Sequence, residues 1–325
     1  MTGKIQRNTN RIEIIKPPVR IKYKKFCNRI IKKFSKQYII GGPNDRQISI
    51  PLLMNILVGK LKPFTNSNYA HHCKYEEIDF INGIIDVASN CGFWCRYKGT
   101  ISGSYLNKRH NQYARWDVYE CLYRIMLNHY MSNSKSEKLK CQSYDTTFVK
   151  NLFGMEMYGR NVKYKSKNGI KISTKVDVNG VPISLAIASG NSDDGTIAAL
   201  QEDYDFIDTN TKKVKNNNRY KQTILADAAY DSDKLRTKWE KKGYIVKTSV
   251  NKRNTKDPIK LKKLNDRQGE YLEMAGNRAT VESLNSWVKL WPKLDRHIEK
   301  TTKSYTGILF LRLSYIVAGK IADGK

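Results

Sequence analysis

The sequence predicts an α/β protein in two parts, a basic and mainly helical N-terminal region over 1–138 and a mixed-sheet domain over 139–325. Three observations carry that reading. Apolar residues recur at helical intervals from about Ile48 to Met131, and at Cys141 the pattern switches to runs rich in Tyr, Thr, Phe and Val. After the switch the order is three strands, then helix, strand, helix, strand, helix, an α/β succession. The first of those strands form an antiparallel meander rather than a strictly alternating series, because two of them meet at Asn179-Gly180, a strong hairpin signal.

Taken in order, residues 1–40 are basic, with a run from Ile21, and read as an arm or short helix that orders only on DNA. "ISIPLLMNILVGKL" places Pro51 in a first helical turn. "EEIDFINGIIDVASNCG" ends at Gly92, a plausible C-terminal glycine. Ser102 or Ser104 caps a helix that bears Lys108, Arg109, His110 and Arg115, and a second helix follows over Trp116 to Tyr130. A basic helix beside an apolar one suits a helix-turn-helix reader, and equally an ordinary surface helix. Beyond Cys141, "QSYDTTFVKNLF" and the two halves of "GIKISTKVDVNGVPISLAIASGN" read as strands. "GTIAALQEDYDFI" reads as a helix, "QTILADAAYD" as a buried strand with an acidic end, and "SDKLRTKWEKKG" as a helix from Ser232 to Gly243. "YIVKTSV" is a further strand and "NRATVESLNSWVKL" a last helix. Asn210–Lys221 and Asn251–Gln268 are polar and basic enough to be mobile loops.

Fifty-nine Lys and Arg against thirty Asp and Glu leave a formal charge of +29 on 325 residues. Such an excess repels itself in a free monomer, so a polyanionic partner, nucleic acid above all, is expected. No stretch reaches the roughly 18–20 unbroken apolar residues of a membrane span, and the N-terminus lacks an apolar leader segment; no membrane partner is expected. The six cysteines lie in the first half of the chain and are expected as free thiols. "HHC" at 71–73 and "CGFWC" at 91–95 could offer zinc ligands, though the spacing matches no common finger.

Two aspartates stand in apolar strand settings, Asp145 within "QSYDTTF" and Asp227 directly after "TILA". A carboxylate placed so is costly unless a cation or hydrogen bonds compensate it. With Glu282 on a later helix they form a set of hard oxygen donors from three elements, which suits Mg²⁺ or Mn²⁺. Two such ions about 4 Å apart can serve phosphoryl transfer. Asp231 rivals Asp227 but suits the first turn of the next helix; Asp193 or Asp194 reads as a helix cap, and Asp177 as an exposed polar residue before its turn. On the last helix, Arg278, Glu282 and Lys289 fall within an arc of roughly 60°, as an i, i+4 ion pair plus a lysine would.

The blocks "YDTTFVKN", "ADAAYDS" and "NRATVESLNSWVK" resemble, in order from about Gln142 to Ile316, the signature blocks of DDE transposases of the bacterial insertion-sequence IS4/IS5 superfamily. The resemblance implies an RNase H-like catalytic core with Asp145, Asp227 and Glu282 as catalytic metal ligands, holding Mg²⁺ or Mn²⁺, two ions. It also supplies a Tyr-x2-Arg-x3-Glu-x6-Lys signature, of which Arg278, Glu282 and Lys289 are the last three members and would set Arg278 and Lys289 on DNA phosphates. The tyrosine's place is Ala275, and Tyr271 lies one helical turn earlier. "SYLNKRHNQYARWDVYECLY" is similar to the helical DNA-binding segment of IS5-type members, which makes Lys108, Arg109 and Arg115 candidate DNA contacts. Only 54 residues separate Asp227 from Glu282, too few for a large inserted β-domain. The implied activity is cleavage at element ends, where water attacks a phosphodiester and the freed 3′-OH then attacks target DNA. The implied partners are terminal inverted repeats, target DNA and a second subunit, as a homodimer on DNA. The alternatives are a domesticated DNA-binding regulator without catalysis and an RNase H-like nuclease without transposition. The expected location is the nucleoid in a bacterial cytoplasm, or the nucleus or viral factory in a eukaryotic or viral host.

Overall fold

The computed structural model describes residues 12–14, 29, 49–61, 74–132, 135–207, 222–250 and 257–324. The strands are β1 (Ile12–Ile14), β2 (Cys141–Asn151), β3 (Gly159–Asn161), β4 (Lys167–Val176), β5 (Pro182–Ser189), β6 (Thr223–Ala226) and β7 (Ile245–Thr248), with a two-residue β8 (Arg296–His297). The main helices are α1 (Ile50–Leu61), α2 (Glu77–Asp86), α3 (Gly103–Arg115), α4 (Val118–Tyr130) and α5 (Asp194–Gln201), then α6 (Asp233–Lys241), α7 (Pro258–Leu272), α8 (Ala279–Lys289) and α9 (Thr302–Ala322). They divide between two compact units, each discontinuous in sequence. One comprises Ser136–Asn285 with β1, and the other the described parts of Lys16–Lys135 with Ser286–Lys325. The first of these boundaries falls between Lys135 and Ser136, the second between Asn285 and Ser286.

The sheet unit has the order β1-β5-β4-β2-β6-β7, with β3 on β4. β2, β4 and β5 form the antiparallel meander, and β6 and β7 add in parallel through intervening helices. The β4–β5 turn holds Gly180 at φ +79°, where a Cβ would stand 2.9 Å from the carbonyl oxygen of Thr280 in α8, so glycine serves both the turn and the close approach. Asp177 corrects the expectation of exposure: it is 1 % exposed, and its Oδ1 accepts from the Asn179 and Val181 amides to organise this turn. β1 likewise replaces part of the expected N-terminal arm with an edge strand antiparallel to β5; the remainder of 1–40, Arg29 apart, lies outside the described residues.

Alternation along β5 puts Ile183, Leu185 and Ile187 on one face and Ser184, Ala186 and Ala188 on the other. The small residues let α5 approach, and Ala186 and Ala188 pack on Ile197. Lys171 and Lys175 of β4 pair with Ala188 and Ser184 and share that face. Lys171 Nζ donates to Asp194 and to the Ser192 carbonyl, both at 2.7 Å. Fully buried Lys175 lies 3.2 Å from Glu202 and 3.1 Å from Asp205. Glu202 also accepts from Tyr144 OH at 2.5 Å and Trp239 Nε1 at 3.2 Å. Charges so placed are tolerable only as a complete set. Burial holds Asp205 up at about 6 even though Lys175 pulls it down.

α6 is capped by Ser232, whose Oγ accepts from the Leu235 amide, and Gly243 beyond it takes φ +94°. Residues 258–268 depart from the expected loop, for they belong to α7. Asp257 caps the Ile259 and Lys260 amides, Pro258 opens the helix, and Leu261, Leu264, Gln268 and Tyr271 supply its inner stripe. Residues 210–221 and 251–256 lie outside the described residues.

In the helical unit, Gly92 ends a turn at φ +75°, and α4 starts at Val118 after Asp117 takes a left-handed φ of 56°. α9 packs against α4 and α3. It is long and apolar enough by length and composition to cross a membrane, but 61 % of its apolar window is buried inside the protein, as in a core helix. Buried His110 stacks on Trp94 and touches Tyr119 OH at 2.8 Å and Ser304 Oγ at 2.8 Å. Ser304 Oγ gives its proton to Glu299, so His110 Nε2 donates and Nδ1 accepts. Burial lowers His110 to about 4. Burial opposes the charge on Glu299, yet His110, Lys293 and the hydrogen bonds hold it near 2. Cys91, Cys95, Cys121 and Cys141 are free thiols, whereas Cys27, His71, His72 and Cys73 lie outside the described residues.

Candidate active site

Backbone register brings the two aspartates together. β2 pairs in parallel with β6, Cys141 beside Thr223 and Ser143 beside Leu225, and the same offset carried two residues on sets Asp145 beside Asp227. Residues in parallel register point to the same face, on strands about 4.8 Å apart. Tyr144, one residue earlier, points into the Lys175 network on the opposite face. Asp227 follows the last residue of β6, where its carboxylate caps a short turn by accepting from the Ala229 amide at 2.8 Å. Its rival Asp231 is engaged elsewhere, by Arg267 and by Arg236 at 3.7 Å.

Glu282 enters from α8, whose Val281 and Leu284 are fully buried while the Glu282 side chain is 63 % exposed. Arg278 ends the 3₁₀ turn before α8 and is the cation among the acids. It stands 3.7 Å from Asp145 and 3.9 Å from Glu282. Its Nη1 donates to Tyr271 OH at 3.2 Å, so Tyr271 contacts Arg278 although its sequence place is shifted. Sequence reasoning missed Asn285, whose Nδ2 donates to Asp145 Oδ2 at 2.7 Å. The available signal was its position three residues after Glu282, one turn along the same helix face. Burial raises Asp145 to about 6; Arg278 and the Thr146 amide oppose that shift, and Asp227 and Glu282 add to it.

This is a half-buried concentration of negative charge with hard oxygen donors, the donor chemistry of a divalent cation. Among the described residues no three His, Cys, Asp or Glu side chains stand close enough to complete a metal site. The Glu282 carboxylate lies instead against Arg278, and that of Asp227 on its own turn.

The remaining predicted residues belong to the helical unit. Lys289 occupies the last turn of α8. Lys108 and Arg115 are exposed on α3. Arg109 does not share that exposure: it is 3 % exposed, 3.6 Å from Glu77 and over the Phe80 ring at 4.4 Å, a packing position rather than a surface contact.

The family model described as transposase DDE domain matches residues 141–317, more than half of the chain. No curated protein and no solved structure gives a significant match. The match begins at the first residue of β2 and takes in Asp145, Asp227 and Glu282, and the mixed sheet is consistent with the RNase H-like core. Enzymes built on this domain move DNA and generally use divalent metals. The chain belongs to the DDE transposases.

Proposed function

We propose that this protein is a transposase of the IS4/IS5 type that cleaves DNA at insertion-sequence ends and joins the freed ends to target DNA. The observation that carries the reading is the shared register of Asp145 and Asp227, with Arg278 bridging from Asp145 to Glu282. Asp145, Asp227 and Glu282 would hold Mg²⁺ or Mn²⁺, two ions in the full site. The bound metal supplies Lewis-acid activation and neutralises the charge that builds on the phosphoryl oxygens. Asn285 fixes one oxygen of Asp145, which orients the carboxylate before metal or DNA arrives. Arg278, 3.7 Å from Asp145 and 3.9 Å from Glu282, would turn to a DNA phosphate once those carboxylates are engaged elsewhere. Lys289 is a second phosphate ligand, and Lys108 and Arg115 contact the DNA backbone; buried Arg109 is left out. The +29 charge gathers two ends and a target against phosphate repulsion, with a homodimer as the synaptic unit. The protein then works wherever its DNA is, in the nucleoid, the nucleus or a viral factory.

The test is cleavage of DNA carrying the flanking terminal repeats, with Mg²⁺ or Mn²⁺, by the wild type and by Glu282→Gln. Site-specific nicking that disappears in the variant supports the reading. Equal cutting by both removes Glu282 from the site, and binding without cutting by either turns the protein into a regulator. Indiscriminate cutting of unrelated DNA makes it a nuclease without a transposition role.

A further inference from the structure

The densest unexplained surface of the sheet unit is the excursion from the end of β2 into the first two residues of β4, residues 152–168. Eleven large apolar side chains are exposed among the described residues, and five of them, Phe153, Met155, Tyr158, Val162 and Tyr164, fall here. A soluble surface scatters such residues singly, and a cluster marks an interaction site. Four exposed cations, Arg160, Lys163, Lys165 and Lys167, are interleaved with them, against the single acid Glu156. The backbone is strained in the same place. Met157, Lys165 and Ser166 adopt φ of 59°, 55° and 55°, three of the four positive values at non-glycine positions among the described residues. Strain of this kind costs about 1–3 kcal/mol per residue and persists where the surroundings impose it.

Those surroundings are rigid at the base of the excursion. Asn151 closes a ring with Gly154, accepting from its amide at 2.8 Å and donating to its carbonyl at 2.9 Å. Asn161 donates to the Gly190 carbonyl at 2.8 Å. Tyr164 lies flat on Phe148, centroids 4.5 Å apart and planes 14° apart, yet remains 47 % exposed. A ring braced on one face and open beyond it is a preformed stacking platform.

We propose that residues 152–168 bind unpaired DNA, with bases stacking on Tyr158 and Tyr164 and phosphates on Arg160, Lys163, Lys165 and Lys167. Duplex DNA would satisfy the cations but keeps its base faces covered; only an unpaired strand offers both phosphate and open π-faces. A second copy of the same patch would set like charges against one another, which disfavours self-association. Phe148, the ring beneath Tyr164, stands three residues beyond Asp145 along β2, about 10 Å at roughly 3.3 Å per residue, and on the other face of the sheet. The occupant is thus an unpaired strand held away from the acidic residues, and only this last point rests on the transposase reading.

The experiment uses the full chain in EDTA, with fluorescence anisotropy on a labelled oligothymidylate and on a labelled duplex of equal length. Tyr158→Ala with Tyr164→Ala is expected to weaken single-strand binding by about tenfold or more while changing duplex binding less than about twofold. The paired Tyr→Phe variant keeps wild-type affinity, which separates stacking from loss of fold, and Tyr158→Ala alone shows a smaller loss in the same direction. Lys163, Lys165 and Lys167 changed together to Ala reduce the salt dependence, the slope of log affinity on log salt, by about two. Undiminished single-strand binding by the double Ala variant overturns the proposal, as does a wild type that binds no unpaired DNA. A variant that changes only the sedimenting species would assign the patch to contact between copies, and also overturns it. Metal-dependent cleavage of repeat-bearing DNA, measured alongside on the wild type, keeps the two readings separate. Cleavage with tyrosine-independent single-strand binding removes the platform alone, and tyrosine-dependent binding without cleavage removes the transposase reading alone.

Discussion

Lys175 offers the sharpest test of how the sheet is held together, and Lys175→Met is the perturbation. Methionine fills a similar volume, so the change isolates charge from packing. In the wild type the ammonium lies within 3.3 Å of both Glu202 and Asp205 with no exposure of its own. Removing it leaves two buried carboxylates without their cation, a loss of about 3–5 kcal/mol when one partner of a buried pair is deleted. Against a total stability of roughly 5–15 kcal/mol that is a large fraction. Asp205 is already raised to about 6 by burial, with Lys175 pulling the other way, so it rises further in the variant. A carboxyl raised above its unfolded value penalises the folded state at high pH and ceases to do so once protonated. Urea unfolding at pH 8 should therefore show the full deficit, and at pH 5 a smaller one. Changing Glu202→Gln and Asp205→Asn together with Lys175→Met should recover most of the stability. A deficit below about 1 kcal/mol at pH 8, or one that grows on acidification, would refute the reasoning.

Acid should act differently on the helical unit. His110 is lowered to about 4 from an unfolded value near 6.5, so its contribution is complete above pH 6.5 and falls away towards pH 4. The difference, about 2.5 pH units at roughly 1.4 kcal/mol each, is about 3–4 kcal/mol, and urea titrations of His110→Gln should lack that part of the acid sensitivity. Gly180→Ala combines a positive φ with a Cβ 2.9 Å from the Thr280 carbonyl, and should cost about 1–2 kcal/mol in a thermal melt while lowering cleavage through the displaced start of α8. Asn285→Ala removes the donor on Asp145 Oδ2. Cleavage should fall about tenfold and the melting temperature by a few degrees, because a hydrogen bond to a charged group contributes about 1.5–3 kcal/mol; Mn²⁺ affinity measured by calorimetry should fall as well.

Much of the sheet was legible because its strands carry simple grammar. Asn179-Gly180 gave the hairpin, and "TILA" ending in Asp227 gave a core strand with a carboxylate at its tip. Asp145 was legible for the same reason, since a charge in an apolar strand demands an explanation. α7 was misread because Lys260, Lys262, Lys263 and Asp266 outweighed its thin inner stripe, even though Asp257-Pro258 spelled out a helix start. Charge misled again at Arg109 and Asp177, whose burial depends on partners, Glu77 in one case and two turn amides in the other. Nothing local distinguishes such residues from surface ones. Asn285 and the contact of Tyr271 with Arg278 were hidden because both depend on how α8 and the 3₁₀ turn before it meet β2.

The β2–β6 register, which ends at Ser143 and Leu225 just short of Asp145 and Asp227, also frees the chain between them. What fixes the two carboxylates is the hydrogen-bonded alignment of two short backbones, so the number of residues in the intervening loops is immaterial to their meeting. The excursion at 152–168 and the stretch between α5 and β6 can lengthen or shorten, and the acidic pair stays where it is. A slip of one residue within the β2–β6 pairing has the opposite character, because it would turn Asp145 through the sheet and exchange it for Tyr144 or Thr146. Relatives of this chain are therefore better sought by strand phase around each aspartate than by the count of residues separating them.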